Sequence, residues 1–300
     1  MISGDPNLLI NGSEARERHT LQAGAVEQLD VFVWPQVHSF AAIVRAVHAT
    51  QYDVITAQDP FWRGLIAWKL ARATGARLNL QLHADLAGQS FIKRTLARFL
   101  LRRAHSIRAV SERVASEVRA LGSLARVTVL PVYVELDTFR SVAREPHEGK
   151  VILWLGRFEK EKDPLRAIAV LKEVRAEIPD AKLLMLGKGA LAAALRAAAE
   201  GLPVEFPGWQ EPRTFLARAD VVLSTSPYES YGAAVVEALA AGVPVVSRDV
   251  GVAKEAGAII AKPEELAEAT ARTLKEGARG ELKLTLLSAP EWARAWRASL

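Results

Sequence analysis

The stretch VVLSTSPYESYGAAVVEALAAGVPVV, residues 221–246, combines in one segment the elements of a parallel βα unit. An apolar run ends at Ser224 and is followed by a polar loop that contains Glu229. A helix of small residues is expected from Gly232 to Ala241, and a second apolar run comes after it. The free backbone amides at the start of such a helix favour an anion.

Two carboxylates in this segment are candidate ligand-binding groups. Glu237 lies within the predicted apolar helix, where a carboxylate costs free energy unless it faces a hydroxylated ligand or a partner. In one continuous helix Glu229 and Glu237 would point roughly 80° apart, so they converge only if Glu229 lies in the loop. The alternative makes Glu237 a surface residue and Glu229 an acid that compensates the helix dipole.

The alternation of apolar runs and helical periods continues on both sides of this segment and predicts an α/β fold with two doubly wound domains. Ser13 and Ser111 are expected N-caps, and Gly75 follows a helical period. The predicted strands are 31–34, 53–57, 77–83, 106–110, 127–130, 151–155, 182–186, 204–206, 221–224, 243–247 and 258–260. The predicted helices are 13–29, 61–74, 90–104, 111–121, 164–177, 190–200, 211–218, 232–241 and 263–276.

A polar segment without periodicity, 141–149, contains proline and glycine and is interpreted as the linker. Trp292 and Trp296 are four residues apart, so they share one face of a C-terminal helix that we expect to pack back on the first domain. The expected domains are 1–145 and 146–285, followed by the C-terminal helix at 286–300.

Composition excludes several classes of site. The chain has 300 residues, of which 50% are hydrophobic and 24% charged, which is typical of globular proteins. Because it has no cysteine, disulfides and thiolate metal sites are excluded, and its six histidines lack the spacing of a catalytic zinc site. We therefore expect no metal. Apolar runs are too short to span a bilayer and the opening residues lack a signal-peptide pattern, so a cytoplasmic location is expected.

The net charge of +5 favours anionic partners. Residues 91–103 form a basic, amphipathic helical run. This run is compatible with peripheral contact to an anionic membrane at its inner face, and equally with a core helix whose arginines are solvated. Nucleic acid is not expected, because no nucleic-acid recognition motif appears.

Two further motifs follow predicted strands. Gly156 begins a turn with two cations, Arg157 and Lys162, placed where a diphosphate could lie at a strand end. The alternative is a solvated basic loop. Gly187 and Gly189 form a G-x-G-x-x-A turn between a strand and a helix, which suits a phosphate, although such turns also occur for purely conformational reasons.

Together these motifs resemble the C-terminal domain of the family 4 retaining glycosyltransferases, within glycosyltransferase group 1. The resemblance covers about residues 150–275 and rests on the 156–162 turn, the 187–189 turn and the Glu-x7-Glu motif with its trailing Gly-x-Pro-Val-Val. It implies the GT-B architecture, with two Rossmann-like parallel-sheet domains facing across a cleft. It also implies a retaining hexosyltransferase that moves a sugar from a UDP-sugar or GDP-sugar to a hydroxyl of a glycan or lipid-linked acceptor, without a metal or another cofactor.

The resemblance also implies roles for individual residues. Arg157 and Lys162 would hold the donor diphosphate and Glu237 the ribose hydroxyls. Glu229 would contact the transferred sugar and His83 would orient the reacting sugar, so these two are the expected catalytic residues. The donor-binding residues expected on this basis are Gly4, Arg157, Lys162, Gly187, Gly189, Gly232, Ala233 and Glu237.

Two positions in the first domain carry alternatives. His83 belongs to the segment 81–85, in which Asp85 could equally be an N-cap. The loop with Gly4 stands where the family has a glycine-rich loop, but its usual glycine pair is reduced to one.

Two other functions remain open from the sequence. A sugar-nucleotide epimerase or a phosphorylase of the same architecture is one, although no cofactor lysine of a phosphorylase is identified. A non-catalytic nucleotide-sugar-binding protein is the other, suggested by the near absence of a strand before Gly4 and by the reduced glycine loops.

Overall fold

A computed structural model describes residues 1–34, 40–83, 86 and 88–300. Ala84 and Asp85, which belong to the segment predicted around His83, lie outside the described residues, and so does the N-cap alternative for Asp85. The chain divides into two compact units. The first consists of Met1–Tyr133 with Leu286–Leu300, and the second is Val134–Thr285.

The described part of the first unit contains a six-stranded parallel sheet in the order β2-β1-β3-β4-β5-β6. Its strands are β1 Ile2–Ser3, β2 Phe32–Val33, β3 Val54–Ala57, β4 Arg77–Leu82, β5 Ser106–Ala109 and β6 Arg126–Val129. Its first helices are α1 Glu14–Gly24, α2 Phe40–Thr50, α3 Trp62–Thr74, α4 Phe91–Leu101 and α5 Glu112–Ala120. The direction of strand addition reverses beside β1, which pairs with both β2 and β3.

Local capping explains where several of these helices begin and end. Ser13 Oγ accepts from the amide of Arg16 at 3.2 Å, and Ser111 Oγ accepts from the amide of Val114 at 3.3 Å. Gly75 ends α3 in the left-handed conformation, which glycine adopts without a steric penalty. These capping predictions are confirmed. Helix α1 ends at Gly24, before the predicted residue 29.

The second unit has a six-stranded parallel sheet in the order β12-β11-β10-β7-β8-β9. Its strands are β7 Lys150–Leu155, β8 Ala181–Leu186, β9 Val204–Gly208, β10 Val221–Ser224, β11 Val245–Ser247 and β12 Ile259–Ile260. Its helices are α6 Leu136–Arg140, α7 Pro164–Glu177, α8 Ala192–Ala198, α9 Pro212–Leu216, α10 Ala233–Ala240, α11 Ala253–Ala256 and α12 Leu266–Glu276. The prediction of an α/β fold with two Rossmann-like parallel-sheet domains is confirmed.

The segment 141–149, predicted to be a linker, is bound to the second unit. The amide of Glu145 donates to the carbonyl of Ala217 at 2.9 Å, and Arg144 Nη1 donates to the carbonyl of Leu216 at 3.1 Å. The chain passes from the first unit to the second between Tyr133 and Val134, and the sequence-based boundary after residue 145 stays a prediction. A polar composition did not distinguish a linker from a segment held by its backbone hydrogen bonds.

The last helix, α13 Ala289–Ala298, belongs to the first unit. Trp292 and Trp296 are buried there and pack with Leu130. Trp292 Nε1 donates to the carbonyl of Pro131 at 2.8 Å, and Trp296 Nε1 donates to Gln81 Oε1 at 3.2 Å. Both indoles thus bury their rings while satisfying their only donor.

A helix and a short strand of the first unit are absent from the predicted elements. Helix α2 lies at Phe40–Thr50, where Ile43 and Val47, four residues apart, are both buried. Strand β1 has two residues, too few for a periodic signal, and it exists because β2 and β3 pair with it on either side. Across the described ranges, every helix is too short or too polar to span a bilayer.

Candidate functional site

The strand order of the second unit reverses between β7 and β10, which are hydrogen-bonded neighbours. In open α/β sheets, ligands bind outside the carboxyl ends of strands at such a reversal. The loops after these two strands begin at Gly156 and Thr225. They carry Lys162, predicted to bind the donor, and Glu229, predicted to contact the transferred sugar.

Lys162 and Glu229 form an ion pair at this edge of the sheet. Lys162 Nζ donates to Glu229 Oε1, and Ser226 Oγ donates to the same oxygen at 2.8 Å. The two paired side chains are 22% and 17% exposed, so the pair is shielded from water on most sides. Glu229 lies in the loop before α10, which is the placement that lets it approach Glu237.

Arg157 has a different environment. Its Nη2 lies 2.8 Å from Glu161 Oε1, and the two side chains are 68% and 53% exposed. Exposed ion pairs of this kind contribute about 0–1 kcal/mol to the free energy of unfolding. The structure therefore separates the two predicted cations, with Lys162 held against Glu229 and Arg157 directed to solvent.

Thr225 positions the backbone that carries Lys162, and the sequence did not single it out. The buried Thr225 hydroxyl accepts from Trp154 Nε1 at 2.9 Å. It also lies 3.0 Å from the carbonyl oxygen of Lys162 and 2.9 Å from that of Asp163, to which it donates. An indole donor inside the apolar strand β7 is the signal that could have indicated a polar partner on the neighbouring strand.

Gly187 and Gly189 allow two loops to approach closely. A Cβ on Gly187 would lie 1.9 Å from the carbonyl oxygen of Gly156, and one on Gly189 would lie 2.6 Å from that of Phe158. Phe158 also donates its amide to Lys188 and accepts from the amide of Leu191, each at 2.9 Å. Packing accounts for both glycines, and their contact with a donor stays a prediction.

Helix α10 begins beside the Lys162–Glu229 pair. Gly232 precedes it with φ of 92°, a left-handed conformation that suits glycine. The amides of Val235 and Val236 donate back to the carbonyl of Gly232, whereas those of Ala233 and Ala234 have no acceptor among the described groups. The helix thus presents two free donors at its positive end.

Glu237 is buried on α10, at 9% exposure, as the apolar helix predicted. Tyr231, in the loop before the helix, is also buried, and burial followed by the negative charge of Glu237 raises the pKa of its hydroxyl. Within the described ranges that hydroxyl has no hydrogen-bond partner. The second unit therefore holds two acids, a lysine and free helix amides at one edge of its sheet.

The first unit has a pocket of about 450 Å³ at its own strand-order reversal. Gly4 follows β1, and Asp59 lies shortly after β3. The pocket brings together Gly4 and His83, which were predicted as site residues, with residues that were not: Arg18, Gln58, Asp59, Arg63, Arg108 and Trp292.

Arg63 fills the space beside Gly4. A Cβ on Gly4 would lie 2.0 Å from the guanidinium carbon of Arg63, so the glycine makes room for this side chain. Arg63 Nη1 lies 2.5 Å from Asp59 Oδ2, and Asp59 Oδ1 accepts from the amide of Phe61 at 2.8 Å. In the described part of the chain, the enclosed Nε of Arg63 has no acceptor.

Arg108 is a buried arginine in the middle of β5. Its three nitrogens donate to Gln81 Oε1 at 3.0 Å and to the carbonyls of Leu130 and Pro131 at 3.1 and 2.7 Å. Burial, followed by the charge of Arg18, lowers its pKa to about 9. A basic residue inside an apolar strand is the signal by which the sequence could have revealed it.

His83 follows β4 and is neutral at pH 7. Burial, then the charges of Arg108 and Arg18, lower its pKa to about 3. Its Nε2 is enclosed and has no partner among the residues that the structure describes. The ring therefore offers a hydrogen bond without a charge. Throughout the described residues, no group of three His, Asp or Glu side chains is arranged to hold a metal ion.

Two family profiles match the chain. The profile described as a glycosyl transferase 4-like domain matches residues 8–132, and that described as glycosyl transferases group 1 matches residues 149–276. The first profile falls in the first unit and the second in the second unit.

Curated relatives align with part of the chain. A GDP-mannose-dependent alpha-(1-6)-phosphatidylinositol dimannoside mannosyltransferase of Mycobacterium tuberculosis is 37% identical over 145 residues, 44% of this chain and 38% of the relative. A 2-deoxystreptamine glucosyltransferase of Streptomyces kanamyceticus is 33% identical over 204 residues, 59% of this chain and 52% of the relative. The chain thus matches between 38% and 52% of the length of these two relatives.

Solved structures are similar over nearly the whole chain. That of Anabaena Alr3699/HepE in complex with UDP and glucose has a TM-score of 0.70 at 18% identity, covering 99% of this chain and 94% of that one. The apo form of the lipopolysaccharide outer core galactosyltransferase WaaB has a TM-score of 0.67 at 15% identity, with the same coverage of 99% and 94%. At these identities the similarity concerns the fold.

Proposed function

The chain belongs to the group 1 glycosyltransferases, and from that premise we propose that it transfers a hexose from a nucleoside diphosphate sugar to an acceptor hydroxyl. The observation that carries the proposal is the shielded Lys162–Glu229 pair beside the free amides of α10, at the strand-order reversal of the second unit. A cation and free amides suit a diphosphate, and an adjacent carboxylate suits sugar hydroxyls. The donor is a UDP-sugar or a GDP-sugar.

Each group of this site has a proposed role in donor binding. An ammonium group has three donors, so Lys162 can keep its bond to Glu229 and still donate to a donor phosphate. The amides of Gly232 and Ala233 face the same diphosphate, and Arg157 supplies a second cation to it. Glu237 accepts from the ribose hydroxyls, Glu229 contacts the transferred sugar, and the turn at Gly187 and Gly189 borders the donor.

The chemistry is proposed to be electrostatic. Negative charge accumulates on the departing diphosphate in the transition state, and fixed donors aimed at it lower the barrier. Lys162 and the amides of α10 are those donors, which is why the reaction is proposed to need no metal. Retention of configuration follows if the leaving phosphate accepts the proton of the acceptor hydroxyl on the same face of the sugar. His83 is proposed to orient the reacting sugar as a neutral hydrogen-bonding group.

The acceptor is proposed to be a glycan or a lipid-linked hydroxyl, and the protein a cytoplasmic one that touches the inner face of the membrane. Helix α4 buries Ala97, Leu100 and Leu101 in the first unit, in accord with a core helix. At its start, however, Phe91 and Ile92 are 83% and 73% exposed beside basic residues. Exposed apolar side chains next to cations suit an anionic membrane surface.

The first experiment is thermal stabilisation by a panel of UDP-, GDP- and ADP-sugars. We expect one nucleotide class to raise the melting temperature. If none of them does, the proposed donor site is wrong. Glu237→Ala should weaken donor binding at least tenfold, because hydrogen bonds to charged groups contribute about 1.5–3 kcal/mol. His83→Ala, a matched truncation in the first unit, should weaken donor binding less.

The second experiment follows nucleotide release and the fate of the sugar with candidate acceptors, with and without a chelator. Release that depends on an acceptor and survives the chelator is the expected result. Activity lost with chelator would contradict the metal-free reaction. An altered sugar on intact nucleotide would indicate an epimerase, and binding without turnover on any acceptor would favour a non-catalytic binding protein. Product stereochemistry measured by NMR tests retention.

A further inference from the structure

The pocket of the first unit is a candidate ligand site lined entirely by residues of that unit. It lies at the strand-order reversal beside β1 and β3 and has a volume of about 450 Å³. Pockets of about 300–1,000 Å³ hold small-molecule ligands. All its lining residues belong to the first unit, whereas the lysine, the acids and the helix amides assigned to the donor belong to the second.

The pocket carries more positive than negative charge. Arg18, Arg63 and Arg108 line it, against the two carboxylates Asp5 and Asp59. Both carboxylates are already engaged. Asp5 Oδ1 accepts from the amide of Asn7 at 3.0 Å, and Asp59 accepts from Arg63 and from the amide of Phe61. The lining residues therefore carry one positive charge in excess. Glu14, which pairs with Arg18 from outside the lining, is 73% exposed, so water screens its charge more than those inside the pocket.

Arg63 and Arg18 retain more free donors for a ligand than Arg108 does. Arg108 is buried and uses three of its five N–H donors, one on each nitrogen, on protein oxygens. Arg63 bonds Asp59 through Nη1, and its enclosed Nε has no acceptor in the described residues. Arg18 bonds Glu14 through Nη1 at 3.2 Å and is 27% exposed. A guanidinium has five N–H donors in a planar fork that matches the oxygens of a phosphate.

The bond between Asp59 and Arg63 fixes the direction of that fork. Asp59 is buried and its other oxygen is held by the backbone, so the carboxylate cannot turn away from Arg63. Gly4 leaves the space in which the Arg63 guanidinium lies. Such preorganisation is expected where an arginine recognises a specific anion instead of compensating a surface charge.

We propose that this pocket binds the acceptor through a phosphate group, which accepts hydrogen bonds from Arg63 and Arg18. The inference rests on the proposed function, since it takes the ligand of the first unit to be the acceptor. The phosphate belongs either to a soluble phosphorylated polyol or to the headgroup of a lipid, and the shared chemistry is a phosphate ester on a hydroxylated body.

The test measures binding to the full chain without nucleotide, by calorimetry for soluble probes and by flotation for vesicles. The soluble probes are inorganic phosphate, glycerol 1-phosphate and uncharged glycerol. The vesicles are phosphatidylcholine with and without phosphatidylglycerol. We expect glycerol 1-phosphate or the phosphatidylglycerol vesicles to bind at least tenfold more tightly than glycerol or plain vesicles, respectively. Preference for the soluble probe identifies a soluble acceptor. Preference for the vesicles identifies a lipid-linked one only if Arg63→Gln removes it, since the exposed start of α4 suits an anionic surface without the pocket.

Variants of the two arginines locate the binding. Arg63→Gln should lower the affinity for the phosphate probe at least tenfold, and Arg18→Gln should lower it severalfold. Arg63→Lys should retain part of the affinity. Arg119→Gln makes the same charge change at a 51% exposed arginine that does not line the pocket, and it should leave the affinity unchanged. The melting temperature shows whether Arg63→Gln is folded. If it is not, phosphate binding by Arg18→Gln provides the test.

Two results would overturn the inference. One is a wild-type protein that binds none of the phosphate probes, and the other is Arg63→Gln and Arg18→Gln proteins that bind them as tightly as wild type. Affinity for UDP- and GDP-sugars, measured on the same variants, should not change. If the protein binds sugar nucleotides but no phosphate probe, the phosphate proposal is wrong and the proposed function stands. Phosphate binding that depends on Arg63 without sugar-nucleotide binding removes the proposed function and leaves an anion site.

Discussion

The loops after β7 and β10 in the second unit and those after β1 and β3 in the first occupy equivalent places in two parallel sheets, each beside a reversal of strand order. In the second unit a lysine meets a glutamate and their charges balance. In the first unit three arginines face two aspartates beside a neutral histidine. Sheet topology therefore sets where each unit has its candidate site, and the residues at the strand ends set the charge of that site.

The two sites also differ in what holds them in shape. In the second unit, glycines bring backbone against backbone, and the Thr225 hydroxyl holds the carbonyls that flank Lys162. In the first unit the glycine makes room for a side chain, and a buried carboxylate orients an arginine. A backbone-held site tolerates little change, whereas a site built from side chains can be altered one group at a time.

The largest expected effect comes from the charge-balanced site. Lys162→Met should reduce sugar-nucleotide turnover about 100-fold, because it removes the donor cation and strands Glu229, and loss of one partner of a shielded pair costs about 2–5 kcal/mol. Arg157→Met removes the 68% exposed cation of the same loop. It should reduce turnover by less than about tenfold, because exposed ion pairs contribute little free energy. Steady-state kinetics on both variants checks the order, and a larger loss in Arg157→Met would break the assignment of the two cations.

A smaller effect is expected from the backbone contact. Gly187→Ala places a methyl group 1.9 Å from the carbonyl oxygen of Gly156, so the loops must separate. Overpacking of this kind typically costs about 1–3 kcal/mol of unfolding free energy. Gly24→Ala is the control in the first unit, where an added Cβ on the last residue of α1 meets nothing within 4 Å. It should stabilise by at most about 1 kcal/mol. Urea unfolding followed by fluorescence measures the unfolding free energy of both variants. Equal values would mean that the close contact between Gly187 and Gly156 does not stabilise the second unit.

The smallest effect concerns the neutral histidine of the first unit. Its pKa is about 3 when folded and near the ordinary 6.5 when unfolded, so the unfolded chain takes up the proton first as the pH falls. The stabilisation is complete above pH 6.5 and declines towards pH 3, by about 1 kcal/mol between pH 6.5 and 5.5. His83→Gln should therefore show a flatter pH dependence of unfolding free energy.

His48→Gln removes an exposed histidine of α2 and should keep the wild-type slope. A His83→Gln protein that also keeps that slope would mean that folding does not lower the pKa of His83. The contrast between a balanced site and a site with excess positive charge would then need revision.

Prediction from sequence was more successful in the second unit than in the first, for a physical reason. Strand β10 and helix α7 lie at the predicted residues because each is a continuous run with one periodicity. In the first unit, β1 is two residues long and gains its hydrogen bonds from two neighbours, so no local pattern could reveal it. The segment 141–149 is polar like a linker, but partners far along the chain hold it.

The candidate sites divide in the same way. Glu229, Glu237 and Lys162 were predicted because they belong to short motifs beside recognisable strands. Arg63 and Thr225 were not, because their importance depends on residues from other strands. Arg63 meets the glycine after β1, and Thr225 links β10 to an indole of β7.

By itself, the sequence determined that this is an α/β protein of two parallel sheets and where its second unit carries acids, a lysine and a free helix start. Hydrophobic periodicity and turn preferences suffice for that, because they act between near neighbours in the chain. Only the tertiary structure decided that Lys162 pairs with Glu229, 67 residues away, and that an arginine lies against Gly4. Those contacts join loops brought together by the order of the strands, and strand order depends on which sheet edges pair rather than on any local run of residues.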